Sequence, residues 1–128
     1  MPTFVFNTDL TFKEVAKVNA SRCNRWHKGF PVNEDGWNGA DWSNAMQGEA
    51  GEAGNVVKKL RRIDCGLWGN RKPGDTDRES LIEKLGAEIA DTYCYLDLLA
   101  TYYGIDIEKV IVDKFNKISA EAGFPERL

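Results

Sequence analysis

Two pairs of acidic residues carry the most pointed chemistry in this chain. They are Glu49 and Glu52, in Gly48-Glu49-Ala50-Gly51-Glu52, and Glu88 and Asp91, in Glu88-Ile89-Ala90-Asp91. Each pair is spaced i, i+3, which on a helix puts both side chains on one face, a turn apart. On a wheel of about 100° per residue, Trp42, Ala45, Met46, Ala53, Val56, Leu60 and Ile63 share one arc, and Glu49 and Glu52 fall inside it. Lys58, Arg61, Arg62, Gln47 and Asn44 lie largely opposite. A carboxylate turned towards a core without a partner is strongly unfavourable, so something must compensate it. The second pair is the natural candidate. Glu88 and Asp91 sit at the edge of an arc made by Ile82, Leu85, Ile89, Tyr93, Leu96 and Ala100, beside Leu81, Tyr95 and Leu99. They point away from a solvent side marked by Glu83 and Asp97. If the two helices pack antiparallel, four carboxylates converge in a semi-buried place, an oxygen-only site suited to Mg²⁺, with Mn²⁺ as substitute. Lys59 lies on the same side as Glu52, seven residues on, where it could meet a phosphate. Tyr95, one turn past Asp91, is placed either to stack on a base or to be core.

Four helices are expected to position these groups. Thr11 and Glu14 form a capping-box pattern that starts a helix running to about Lys28, with Phe12, Val15 and Val18 inward and Lys13, Lys17 and Arg25 outward. Gly29 and Pro31 end it, and residues 29–40 read as a Gly-, Pro-, Asn- and Asp-rich loop. Asp41 is read as the cap of a second helix that stops near Cys65-Gly66. Residues 67–77, with Pro73-Gly74, form a connection long enough to suggest a task of its own. The third helix is expected over Arg78–Tyr103, before Gly104. The fourth runs from Ile107, capped by Asp106, to about Ala122, with Val110, Ile111, Phe115 and Ile118 inward. Residues 1–10 are expected to be irregular and to pack through Phe4 and Phe6; only residues 3–6 weakly alternate as a strand would. The fold class is all-α, a four-helix bundle-like core, read as one domain over residues 1–128. Gly48, Gly51 and Gly54 recur at i, i+3 although each costs a helix about 1 kcal/mol. Close helix packing, including across a subunit contact, would explain them.

Composition narrows the classes. The chain has 128 residues, 42% apolar and 29% charged, the balance of an ordinary globular protein. A net charge of −3 without a basic block argues against nucleic acid as a partner. No run approaches the roughly 20 apolar residues of a membrane span, and the N-terminus does not read as a signal peptide. The three cysteines, Cys23, Cys65 and Cys94, include no C-x-x-C pair and read as reduced thiols. A cytoplasmic protein is the expectation.

The two acidic motifs, thirty-five residues apart (53–87), resemble those of the all-α nucleotide pyrophosphohydrolases. That superfamily includes MazG, dCTP pyrophosphatase, dimeric dUTPases and phosphoribosyl-ATP pyrophosphatase. Trp26-His27 upstream, and Lys114-Phe115-Asn116 with Phe124-Pro125 downstream, extend the likeness over most of the chain. Many MazG relatives carry a further Glu where this chain has Gly48; the Gly-Glu-x-Gly-Glu form is that of the dCTP-pyrophosphatase-like branch. The number of metal ions is thereby left open. The resemblance implies cleavage of a nucleoside triphosphate between the α and β phosphates, giving a monophosphate and pyrophosphate. Glu49, Glu52, Glu88 and Asp91 would hold a divalent metal that acts as Lewis acid and activates water. Glu49 or Glu52 would be the general base. It further implies phosphate contacts from Lys114 and Asn116, and from Arg71 or Lys72 if the long loop closes. Trp26 and His27 resemble base-side residues. Relatives form dimers or tetramers, so a homodimer or homotetramer is expected, giving Trp37, Trp42 or Trp68 and the glycine ridge partners. A phosphoribosyl-ATP pyrophosphatase-like enzyme, or a non-catalytic metal-binding helical interaction protein, are the alternative readings. A ferritin-like di-iron site is disfavoured, since the one histidine, His27, lies in neither motif.

Overall fold

Caps chosen by sequence delimit the helices. In this computed structural model, which describes residues 9–32, 34 and 36–128, four α-helices and no strand occur among the described residues. They are α1 (Phe12–Trp26), α2 (Gly39–Asp64), α3 (Arg78–Tyr102) and α4 (Ile107–Ala122). Thr11 Oγ1 accepts from the Glu14 N–H at 3.1 Å, as its position predicts. Asp106 likewise accepts from the Lys109 N–H, and Gly123, at φ +75°, closes α4 in the left-handed conformation that glycine tolerates. At α2 the expectation is corrected. Asn38 is the N-cap, its side chain accepting from the Ala40 and Asp41 N–H groups, while the Asn38 N–H donates to Asp41 Oδ2 at 2.9 Å. Asp41 is therefore the third residue of a reciprocal capping box, three positions inside the cap. Asp77 caps α3 through the Glu79 and Ser80 N–H groups. The expectations for Phe4, Phe6 and residues 3–6 lie outside the described residues.

The described residues group into two units. One contains α1, the residues of α3 from Asp97 onward, and α4. Here α1 packs on α4. Its inward line is Asn19 and Cys23, not Phe12 and Val18, which are exposed, with Val15 half-buried. The reason is a polar anchor. Asp97, expected on the solvent side, is only 1% exposed, and Asn19 Nδ2 donates to its Oδ2 at 2.9 Å. A buried carboxylate demands such a donor, so α1 turns Asn19 inward and Val18, about 100° away on the wheel, outward. Phe12, at the helix start, lines with Asp97 and Thr101 a cavity of about 160 Å³. Burial raises the Asp97 pKa, and the Asn19 hydrogen bond opposes that rise. On α4 the expected inner residues Val110, Ile111, Phe115 and Ile118 are all exposed, whereas Ser119 is buried. Their apolar stripe is only partly covered within the described chain, with Phe124 and Pro125 beside Phe115 and Ile118.

The other unit holds α2 and α3 as far as Leu96. Val56 and Leu60 of α2 pack with Leu81 of α3, flanked by Ile63 and Leu85. At the opposite end the Trp42 ring lies 6.3 Å from that of Tyr95. Early α2 thus meets late α3 and late α2 meets early α3, which makes the pair antiparallel. On α2 the expected arc is inward: Trp42, Val56 and Leu60 are buried and Ala45, Met46, Ala53 and Ile63 half-buried. On α3 the arc is corrected. Ile82, Ile89 and Leu96 are exposed while Leu81 is fully buried, because the Leu81 face is the one that meets Val56 and Leu60. The connection between the helices is fastened by side chains. Asn70 Nδ2 donates to the Lys59 carbonyl at 2.9 Å, and the buried Asp75 accepts from Lys59 and Lys84, both at 2.7 Å. No helix among the described residues is long and apolar enough to cross a membrane, and the cysteines form no disulfide.

Candidate metal centre

The packing ends of the α2/α3 pair set the register of what lies between them. With Trp42 on Tyr95 at one end and Leu60 on Leu81 at the other, Glu49 and Glu52 come opposite Glu88. Each of the three offers a carboxylate oxygen, and these oxygens all lie within 4.8 Å of one another. Glu49 and Glu88 are half-buried and Glu52 is exposed. Glu88 Oε2 is buried and has no hydrogen-bond partner among the described residues. Its carboxylate neighbours are acceptors too, so a shared proton or a cation would relieve their mutual repulsion. The electrostatics record this. Loss of water around Glu49, then the Glu52 carboxylate beside it, push its pKa up to about 7, with the Asp91 charge and Glu88 adding to the rise. Burial and Glu52 also raise the Glu88 pKa, while the hydrogen bond from Glu49 lowers it. Both groups are therefore easier to protonate than ordinary carboxylates, Glu49 the more so.

Asp91, expected as a fourth member, is exposed and stands outside this set, although its charge reaches both Glu49 and Glu88. It lies one turn beyond Glu88 on the same helix. Thr92 Oγ1, next to it, donates back to the Glu88 carbonyl at 2.7 Å. Gly48, Gly51 and Gly54 face open space: a Cβ on any of them would meet nothing within 4 Å. Close packing against this ridge is therefore absent within the described chain.

The remaining expected site residues are distributed as follows. Tyr95 is half-buried, its ring 6.3 Å from that of Trp42. Lys59 has its ammonium on Asp75. Arg71 lies over the Trp68 ring, 4.7 Å from its centroid, and Lys72 is exposed, its carbonyl accepting from the Asp75 N–H at 3.0 Å. In the other unit, Lys114 is exposed on α4 and Asn116 is tied to Leu128, whose N–H donates to Asn116 Oδ1 at 2.8 Å. Trp26 is exposed, with the Arg22 guanidinium 5.5 Å from its ring. The His27 ring sits 4.6 Å from that of Trp37. Two residues escaped the sequence reading. Lys84, one turn before Glu88, was visible on the wheel. Asp75, in a Pro-Gly turn, gave no local sign that it would be buried.

What fold and site define together is an all-α protein with an oxygen-only acidic cluster shared by two antiparallel helices. A scan of the chain against models of protein families finds no match, and a search of curated proteins finds none.

Proposed function

We propose that this chain is a Mg²⁺-dependent nucleoside triphosphate pyrophosphohydrolase, similar to the MazG-like and dCTP-pyrophosphatase-like enzymes, that converts a (d)NTP to (d)NMP and pyrophosphate. Clearing or balancing nucleotide pools is the role that reaction would serve. The carrying observation is the convergence of Glu49, Glu52 and Glu88 from two helices, with the buried Glu88 Oε2 lacking a donor. Three crowded carboxylate oxygens with one unsatisfied are what a hard divalent cation compensates, and no nitrogen or sulfur ligand competes in the cluster. The residues therefore fit Mg²⁺ or Mn²⁺, held by Glu49, Glu52 and Glu88, with Asp91 a turn away as further ligand. The metal would supply Lewis-acid stabilisation of phosphoryl charge.

The chain's own groups supply the rest. Glu49, if not fully engaged by the metal, would take a proton from an attacking water as the bond between the α and β phosphates breaks. Water's oxygen then bonds to phosphorus, and pyrophosphate leaves with the electron pair of the cleaved P–O bond. Lysines beside the cluster would offset the charge of the leaving group.

The same reading includes self-association into a homodimer or homotetramer that completes the four-helix bundle-like core. Its support is the exposed, seven-residue-spaced line Ile82, Ile89 and Leu96 on α3, and the exposed Val110, Ile111, Phe115 and Ile118 on α4. A contiguous exposed apolar stripe is the kind of surface that a partner covers. The testing experiment is a panel of natural and modified dNTPs, phosphoribosyl-ATP included, assayed with and without Mg²⁺ for monophosphate and pyrophosphate. Mg²⁺-dependent release of both from a dNTP is expected. Silence across all triphosphates would reject the reading in favour of a non-catalytic protein.

A further inference from the structure

Asp75 is buried, its side chain 4% exposed, yet it accepts from two ammonium groups that are not buried. Lys59 Nζ stands 2.7 Å from Oδ2 and Lys84 Nζ 2.7 Å from Oδ1, and these side chains are 29% and 46% exposed. The anion therefore lies behind and the two cations in front. Each ammonium has three donors; one is spent on Asp75, and two remain on each for another acceptor. Asp75 cancels one of the two positive charges, so the trio keeps a net charge of +1. A loop clasp alone needs one lysine. A second, brought to the other oxygen of the same carboxylate, would be repelled if Asp75 were absent.

The position of the trio gives it a use. Lys84 precedes Glu88 by four residues on α3, about 6 Å along the axis, and Lys59 follows Glu52 by seven on α2, about 10 Å. Because the helices run antiparallel, both steps lead the same way from the acidic cluster. A cation pair thus lies within a few phosphate lengths of the carboxylates, along one line.

We infer that Lys59 and Lys84 form a seat for the terminal phosphates of the substrate and for pyrophosphate, and that Asp75 is the residue positioning them. This rests on the pyrophosphohydrolase reading for its substrate, but not for its geometry. Asp75 lowers the cost of holding two like charges together, and it keeps the ammonium groups from folding back onto Glu52 and Glu88, where they would displace a metal ion. Arginine at position 84 retains donors for phosphate, whereas methionine retains the alkyl packing alone.

The test is calorimetric titration of the full chain with inorganic pyrophosphate in Mg²⁺, beside Mn²⁺ titration without pyrophosphate. Lys84→Met should weaken pyrophosphate about tenfold or more while Mn²⁺ affinity stays as in the wild type. Lys84→Arg should restore most of the loss, and Asp75→Asn should weaken pyrophosphate with both lysines still present. If Asp75→Asn does not fold, the Lys84 pair of variants decides alone. Wild-type pyrophosphate affinity in Lys84→Met, an equal loss of Mn²⁺ affinity in that variant, or no pyrophosphate binding by the wild type would each overturn the inference. The two readings separate cleanly. Lysine-dependent pyrophosphate binding without hydrolysis of any triphosphate removes the enzyme and leaves the seat. Hydrolysis with Lys84→Met unchanged in affinity and in kcat/KM removes the seat and leaves the enzyme.

Discussion

Glu49 on α2 and Glu88 on α3 hold carboxylate oxygens within 4.8 Å of each other, and burial together with the neighbouring carboxylates pushes the Glu49 pKa up to about 7. The same closeness makes the cluster costly when fully ionised and receptive to a divalent cation.

Replacing any one ligand should therefore separate function from stability. Glu49→Gln, Glu52→Gln and Glu88→Gln should each lower kcat about 100-fold or more, the size of losing about 3 kcal/mol of transition-state stabilisation. Asp91→Asn should fall with them, since its charge already reaches Glu49 and Glu88. Thermal unfolding without metal should show each variant as stable as the wild type or more so, because repulsion is relieved. Wild-type-like turnover in any two would rule out a shared metal site.

The pH dependence of the metal-free protein follows from Glu49. Burial and the neighbouring carboxylates push its pKa in the folded chain up to about 7 from an ordinary 4.5, so the folded state binds the extra proton between those values. Its contribution to stability is present below about pH 4.5 and is lost as pH rises through 7. Chelated protein should lose stability across that window, and Mg²⁺ should cancel the loss. Urea midpoints at pH 5 and 7.5, with and without Mg²⁺, measure it; Glu49→Gln should flatten the profile.

Asp75 predicts the opposite slope at lower pH. Hydrogen bonds from Lys59 and Lys84 hold its pKa at about 2, below the ordinary 3.8. That contribution is complete above pH 3.8 and disappears as pH falls towards 2. Asp75→Asn should lower the unfolding midpoint at pH 6, with the difference from wild type shrinking in acid.

The Asn19–Asp97 bond should be asymmetric under mutation. Asn19→Ala leaves a buried carboxylate without its side-chain donor and should cost about 1–3 kcal/mol. Asp97→Asn removes a charge that burial already disfavours and should cost less. Denaturant melts of the two variants and the double mutant read the coupling directly.

Self-association should depend on the exposed line of α3. Ile89→Glu places a charge at its centre and should shift sedimentation towards monomer while helical circular dichroism is retained. A wild type that sediments as monomer at micromolar concentration would count against the assembly.

Helix number, type and most boundaries were legible in the chain itself, because caps and breakers are local. Thr11, Asp106 and Gly123 act within a turn of where they stand, and even the misplaced cap at Asp41 failed by only three residues, into Asn38 of the same box. The acidic pairs were legible for the same reason, since i, i+3 spacing fixes a shared face before any packing occurs. Tertiary structure decided which face was inward on each helix. Ile89 and Leu81 are equally apolar, but only the helix that arrives opposite determines which is covered, and Asp97 could be buried only once Asn19 was turned towards it. It also decided that three carboxylates converge with Asp91 outside, and that Asp75 from a distant turn binds Lys59 and Lys84. Those outcomes depend on the register of two helices and on where a loop returns, which no local rule sets.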